Sequence, residues 1–238
     1  MDFSERRIKA LREGDYRALK RMGLKLGIPI PEVFLELEVR SQEGKLLDHY
    51  KQRSHTWTRN AYNILFSQLA AFGLTGASFG AGFLSLKTTG GSVLGSSLFS
   101  GLSSSVGHAS TVAGYRAAVA TVQGIVVGTG TGAESFEDFA LGSAVAEGTG
   151  AGQLSYVLQE LSTGAYAALT WTVTHSRYFN NNSGGAIVIG EVGIYAYMMV
   201  AGSSTNILVT RDKLASTVSV ANTAQLKVTY TIAMTWPS

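Results

Sequence analysis

The stretch QLKVTYTIAMTW (Gln225–Trp236) alternates without a break. Leu226, Val228, Tyr230, Ile232, Met234 and Trp236 fall on one side; Lys227, Thr229, Thr231, Ala233 and Thr235 fall on the other. A period of two with one apolar and one hydroxyl-rich side describes a strand buried on one face and wet on the other, which is the habit of antiparallel sheets. The same reading applies to ALTWTVTHSRYF, AIVIGEVGIYAYMMV, NILVTRD, VQGIVVGTGTG and LSYVLQELS. Upstream, EVFLELEVR, the turn SQEGK and LLDHYKQRS read as a hairpin. Several such strands separated by turns predict a mainly β fold, an antiparallel β-sandwich of jelly-roll or Ig-like type.

Two segments depart from this pattern. Residues 2–26 read as helix, with Ser4 as a cap and Ile8 and Leu11 on one face. Gly14 is expected to break it, Asp15 to cap a second short helix carrying Leu19 and Met22, and Gly23, Gly27, Pro29 and Pro31 to end it. TWTRNAYNILFSQLAAFG (56–73) predicts one amphipathic helix lying on the sheet with Tyr62, Leu65, Phe66 and Leu69 inward, capped by Thr56 or Thr58. The division expected is a helical docking arm over 1–31, then a β-sandwich domain over 32–238 that includes this helix and a Gly/Ser-rich insertion over 74–114. That insertion reads as a meander or an extended arm.

Charge is distributed unevenly. Residues 1–60 hold 13 of the 19 Lys and Arg, and beyond them only Lys87, Arg116, Arg177, Arg211, Lys213 and Lys227 remain. Arg6, Arg7, Lys9, Arg12, Arg17, Lys20 and Arg21 are therefore the candidate docking residues, facing an acidic partner. A solvated helical face is the plainer account of such charges. Nucleic acid is not the expected partner.

Chemistry is sparse. GTGTGAES lacks the lysine of a phosphate loop and the third glycine of a dinucleotide fingerprint, so it reads as a tight turn. His49, His55, His108 and His175 show no metal-ligand spacing. Glu134, Glu137 and Asp138 in ESFEDF read as acids at a turn and helix start. The chain has no cysteine, which excludes disulfides and thiolate metal sites and fits assembly in a reducing cytoplasm. No signal peptide or membrane span is expected. No catalytic residues, cofactor or metal are assigned, and the expectation is a structural or binding protein rather than an enzyme.

RYFNNNSGGAIVIGEVGIYA poses the sharpest question. NNNSGG reads as a hairpin turn between two strands. Gly190 and Gly193 bracket Glu191-Val192 and signal a bulge or a close backbone approach. Glu191, a carboxylate in an apolar strand, is expected to pair with Arg177 or Arg211.

The series GIVVGTGTGAESFEDFALGSAV, GQLSYVLQEL, RYFNNNSGGAIVIGEVGIYA, LVTRDKL and TVSVANTAQLKVTYTIAM, preceded by HTWTRNAYNILFSQL, resembles a cassette of tailed-bacteriophage virion proteins. The shared motifs are VGTG, ALG, an NNSG hairpin, EVG followed by an aromatic, RD and VTYTI, over the chain from Thr56 onward except 74–114. The resemblance implies a structural component of the virion, assembled in the bacterial host cytoplasm, with other virion proteins (major capsid or tail) as partners. It carries over no functional residue. With the low charge it suggests a homo-oligomer, a trimer being one arrangement, and within this class a capsid decoration protein, then a tail, neck or fibre-attachment protein. A carbohydrate-binding module, using Trp171, Tyr178, Tyr195, Tyr197 and Trp236 as stacking platforms, is the alternative of another class. An enzyme acting through Glu191 or Asp212 ranks last.

Overall fold

Strand β1 (Pro31–Arg40) buries every second residue, Val33, Leu35, Leu37 and Val39, and turns Glu32, Phe34, Glu36 and Glu38 outward. It pairs on one side with β2 (Leu46–Ser54) and on the other with the C-terminal strand, where Leu37 meets Val228 and Leu35 meets Tyr230. These alternating faces organise the molecule. The computed structural model describes residues 3–54, 56–70, 78–94, 102–106, 113–200 and 203–237.

The remaining elements in chain order are α1 (Phe3–Lys25), α2 (Arg59–Ala70), β3 (Leu86–Lys87), β4 (Val93–Leu94), β5 (Leu102–Val106), β6 (Ala113–Arg116), β7 (Gly124–Gly128), β8 (Ser155–Tyr156), β9 (Thr163–Ala167), β10 (Thr170–Asn180), β11 (Ile187–Val200), β12 (Ser203–Val220) and β13 (Gln225–Thr235). One sheet has the order β2-β1-β13-β10-β8, with β9 also on β10; the other runs β12-β11-β6-β5, with β7 also on β11. The sheets pack face to face around Leu35, Leu37, Ile125, Val127, Phe179, Ile189, Val192, Leu226, Val228 and Tyr230. The mainly β, antiparallel sandwich with helices is thus the observed fold, with one parallel pair, β5–β6.

Four details differ from the sequence reading. First, α1 is continuous through Gly14. A single interior glycine costs only about 1 kcal/mol, and a tertiary contact beside it holds the helix: Glu13 receives two bonds from Arg53 of β2. The helix ends where expected, with Gly27 at φ 71° and the Ile28 N–H donating to the Gly23 carbonyl.

Second, α2 is rotated. It buries Asn60, Asn63, Ile64 and Ser67 and exposes Tyr62, Leu65 and Phe66; the Leu69 side chain lies outside the described residues. Helical periodicity alone put the wrong face inward because α2 serves as a splint for backbone. Asn60 Nδ2 donates to the carbonyls of Lys87 and Leu208, and its Oδ1 accepts from the Lys87 N–H. Asn63 donates to Ser85, and Thr58 Oγ1 to Leu208 rather than capping the helix. Within the insertion over 74–114, the described residues form the β3–β4 hairpin held by these amides and strands β5 and β6.

Third, NNNSGG is not a hairpin turn. β10 lies in one sheet and β11 in the other, so the turn carries the chain across the sandwich. Asn181 is buried there; its Nδ2 donates to Gly185 and Val220 carbonyls and its Oδ1 accepts from Ser183. Both ends of the amide are therefore engaged in the folded chain. Fourth, LSYVLQELS yields only the two-residue β8, and ALTWTVTHSRYF begins as the turn of a β9–β10 hairpin whose first strand the alternation did not reveal.

The N-terminal helix rests on the outer face of the first sheet through polar contacts. Arg53 is sandwiched between the rings of Tyr16 (4.5 Å) and Phe34 (4.7 Å) while its N–H groups reach Glu13 and Glu32. Lys20 is bonded to Glu32. The Arg53 guanidinium holds the Glu13 carboxyl down to about 2 from its usual 4.5. A depressed carboxylate pKa adds stability that is fully present above the unfolded value and is lost as pH falls through the folded one. The docking of α1 is therefore expected to persist at pH 5 and weaken progressively between pH 4.5 and 2. Amide hydrogen exchange of α1 against pH checks this, and Arg53→Gln should make α1 amides exchange faster already at pH 7.

Candidate functional site

A buried polar cluster lies on β11 and β12, and the glycines make it. Glu191 is fully buried on β11, just after a bulge between Ile189 and Glu191. Its carboxylate accepts from the Ser143 N–H (2.7 Å), the Gly142 N–H (3.1 Å) and Arg211 Nε (2.8 Å). Arg211 is its pairing partner, one of the two arginines the sequence nominated. The same guanidinium donates to Asp138 (2.8 Å) and to the carbonyls of Ala133 and Gly132. The loops after β7 and before Ala144 are thereby strapped onto the sheet. A Cβ on Gly130 would stand 2.3 Å from Glu191 Oε1, and one on Gly128 2.6 Å from it. GTGTG is thus the lid of a buried carboxylate, where only glycine lets the backbone approach.

Asp212 follows Arg211 and so points to the opposite face of β12. It is fully buried between the sheets, where Tyr230 Oη (2.9 Å), Ser54 Oγ (2.8 Å) and Thr210 Oγ1 (3.4 Å) donate to it. Tyr230 belongs to β13 and Ser54 to β2, so Asp212 bridges the two sheets. Burial together with the neighbouring carboxylate raises the Tyr230 phenol well above its ordinary value. Tyr195 Oη accepts the Leu141 N–H.

Arg177 is a second, separate centre. It lies fully buried on the inner face of β10, and its N–H groups donate to five carbonyls, those of Val157, Gln123, Ile125, Ala118 and Thr121 (2.5–3.0 Å). The rings of Tyr156 and Phe179, edge to face with each other, lie beside it at 4.8 and 5.6 Å. A guanidinium has five N–H donors, and all five are used. Burial pushes its pKa down to about 10, which still leaves it charged at neutral pH. No sequence signal marked this cage, because carbonyls belong to every residue. The nearby Gln159, also missed, splints backbone by donating to Tyr115 and accepting from the Ile125 N–H.

The other nominated groups disperse. Glu134 accepts from the Lys213 N–H and Glu137 from Arg59, and no helix starts at ESFEDF. His49 pairs with Glu36 across β1–β2, and His175 contacts Ser162, with burial lowering its pKa. His55 and His108 lie outside the described residues. Among the described residues no cluster of His, Asp and Glu has the makings of a metal site, and no helix is long and apolar enough to cross a membrane. Of the candidate docking residues, Arg17 contacts its own helix neighbour Glu13, Lys20 contacts Glu32, and Arg21 is exposed. Arg6, Arg7, Lys9 and Arg12 fall within α1, but their side chains lie outside the described residues. Of the five nominated aromatics, Trp171 and Trp236 are exposed, Tyr178 and Tyr197 half-buried and Tyr195 buried.

The buried ionic groups are therefore braces. Glu191, Asp212, Arg211 and Arg177 are each hydrogen-bonded within the protein itself, an arrangement that fixes loops. Compared with family models, with curated proteins and with solved structures, the chain gives no match.

Proposed function

We propose that this chain is a structural component of a tailed-bacteriophage particle, in the first instance a decoration protein of the capsid, with a tail, neck or fibre-attachment protein as the next assignment. The observation that carries the reading is the convergence of its motifs. VGTG, ALG, EVG and RD, which are far apart in sequence, meet around Glu191 and Arg211. The RD aspartate then reaches the tyrosine of VTYTI. A cassette whose elements specify one internal brace is a scaffold cassette, and it supports a role in assembly over one in chemistry.

In this reading α1 is the docking arm. Its described contacts with the sandwich are polar, through Glu13, Tyr16 and Lys20, while Leu19, Met22, Leu26 and Ile28 are exposed. Deleting residues 1–30 is expected to leave the sandwich folded by circular dichroism and to reduce incorporation into particles at least tenfold. Immunogold electron microscopy of particles, with antibody against residues 115–238, tests the assignment: label over heads fits decoration, label at the tail or neck moves the function there, and no label overturns the virion reading.

The carbohydrate-binding alternative has one observation in its favour, the exposed rings of Trp171 and Trp236. The strands that carry them have no carboxylate, amide or cationic side chain from Leu161 to Thr174 to hold sugar hydroxyls. A glycan array without hits disposes of it.

A further inference from the structure

β9 is an edge strand of unusual composition. Among the described residues it pairs with β10 alone, all five of its residues are exposed, and its sequence is Thr-Gly-Ala-Tyr-Ala. Edge strands are ordinarily protected by charge, proline or a bulge. The opposite edge of the same sheet, β2, carries Asp48, His49, Lys51 and Arg53 and a register shift against β1. β9 has none of these, and no Asp, Glu, Lys or Arg occurs from Leu161 to Ser176 or from Val228 to Ser238.

This uncharged edge of the sheet is also aromatic. Tyr166 is 54% exposed, Trp171 48% and Trp236 44%. The Trp171 ring lies across Gly164, 3.3 Å from where a Cβ would stand, and Tyr166 sits 6.0 Å from it, tilted by 36°. The β9–β10 turn places Ala168 and Leu169 at φ 46° and 62°, a two-residue turn of the primed kind built without glycine. The Trp236 N–H anchors it by donating to the Leu169 carbonyl at 2.8 Å. The turn fixes the hydrogen-bonding phase: Ala167 and Thr170 face each other as a bonded pair, so Gly164 and Tyr166 direct their N–H and C=O groups away from β10.

We propose that β9 pairs antiparallel with β9 of a second copy of this chain, about a twofold axis through Ala165, to give a continuous sheet across two sandwiches. In that register Gly164 exchanges hydrogen bonds with Tyr166 of the second copy and Tyr166 with its Gly164. Ala165 faces its counterpart at the non-bonded position, where strands approach closest and a small side chain is needed. Each Tyr166 ring comes to lie beside the other copy's Trp171, in a row of four rings on one face. The absence of charge suits an identical, uncharged surface, whereas an acidic or basic partner finds no complement here. Strand pairing plus the half-exposed rings buries on the order of 1,000 Å² in total, the lower end for a specific interface, so association in the micromolar range is expected. The contact is isologous and closes at two copies, unlike the trimer considered from sequence. It does not depend on the virion reading.

The chain's lack of cysteine permits a direct test on the full-length protein. Ala165→Cys places two thiols opposite each other across the axis, within disulfide reach. Thr163→Cys places them far apart, because Thr163 would face Ala167 of the second copy. After mild oxidation, Ala165→Cys is expected to give a disulfide-linked dimer as the major species, with at least tenfold less from Thr163→Cys. Sedimentation velocity of the unmodified chain should show reversible dimer formation, weakened at least tenfold by Tyr166→Lys with an unchanged circular dichroism spectrum. An unmodified chain that is monomeric at 200 µM, a dimer indifferent to Tyr166→Lys, or equal cross-linking at both cysteine positions would each overturn the proposal.

Discussion

Arg177→Met is expected to destabilise the fold by about 4 kcal/mol or more, enough to leave a marginal domain largely unfolded, because it strips a fully buried guanidinium from a cage of five backbone carbonyls. Methionine fills much of the volume but supplies no donor, and the oxygens of Val157, Gln123, Ile125, Ala118 and Thr121 stay where water does not reach them easily. Arg177→Lys should also fail, at a cost of about 3 kcal/mol. An ammonium has three donors on a point charge and cannot serve five oxygens in a plane, nor pack against the rings of Tyr156 and Phe179 in the same way. Urea denaturation followed by circular dichroism measures both. A loss below about 1 kcal/mol for the methionine variant would mean that the cage contributes little.

The second large effect concerns Gly130 and Glu191. Glu191→Ala leaves Arg211 buried with only Asp138 and two carbonyls, and should cost about 3 kcal/mol. Gly130→Ala alone should cost about 2 kcal/mol or more, since the new methyl meets a carboxylate that three bonds prevent from moving. The two should not add. Once Glu191 is truncated the clash disappears, and adding Gly130→Ala should cost less than about 0.5 kcal/mol further. Additive losses in that double-mutant cycle would show that Gly130 is required for its own backbone conformation and not for the carboxylate beneath it.

These centres also show where sequence reasoning reached and where it stopped. The alternation in β1 and β13 determines which residues face the core, and both strands were legible for that reason. The glycines around Glu191 announced a close approach, and the arginine that answers it was one of two named. Strand partnership was legible for the β1–β2 hairpin but not for the turn after β10. The turn after β10 has hairpin residues, but Asn181 uses its side chain to steer the chain into the opposite sheet. α2 was misread because buried asparagines are recognised only when the backbone they splint is known. The Arg177 cage left no trace, since its acceptors are main-chain atoms.

That last fact bears on how this segment tolerates change. A carbonyl oxygen is the same whichever side chain its residue carries, so the stretch from Ala118 to Gln123 is held more tightly in length than in spelling. A randomised library at the exposed Val119 should return many folded sequences, whereas Ala120, at φ 55°, should admit few residues beyond alanine, glycine and asparagine. One inserted or deleted residue there shifts several acceptors at once and should return none. Indel scanning, rather than substitution scanning, is the experiment that draws the outline of this core.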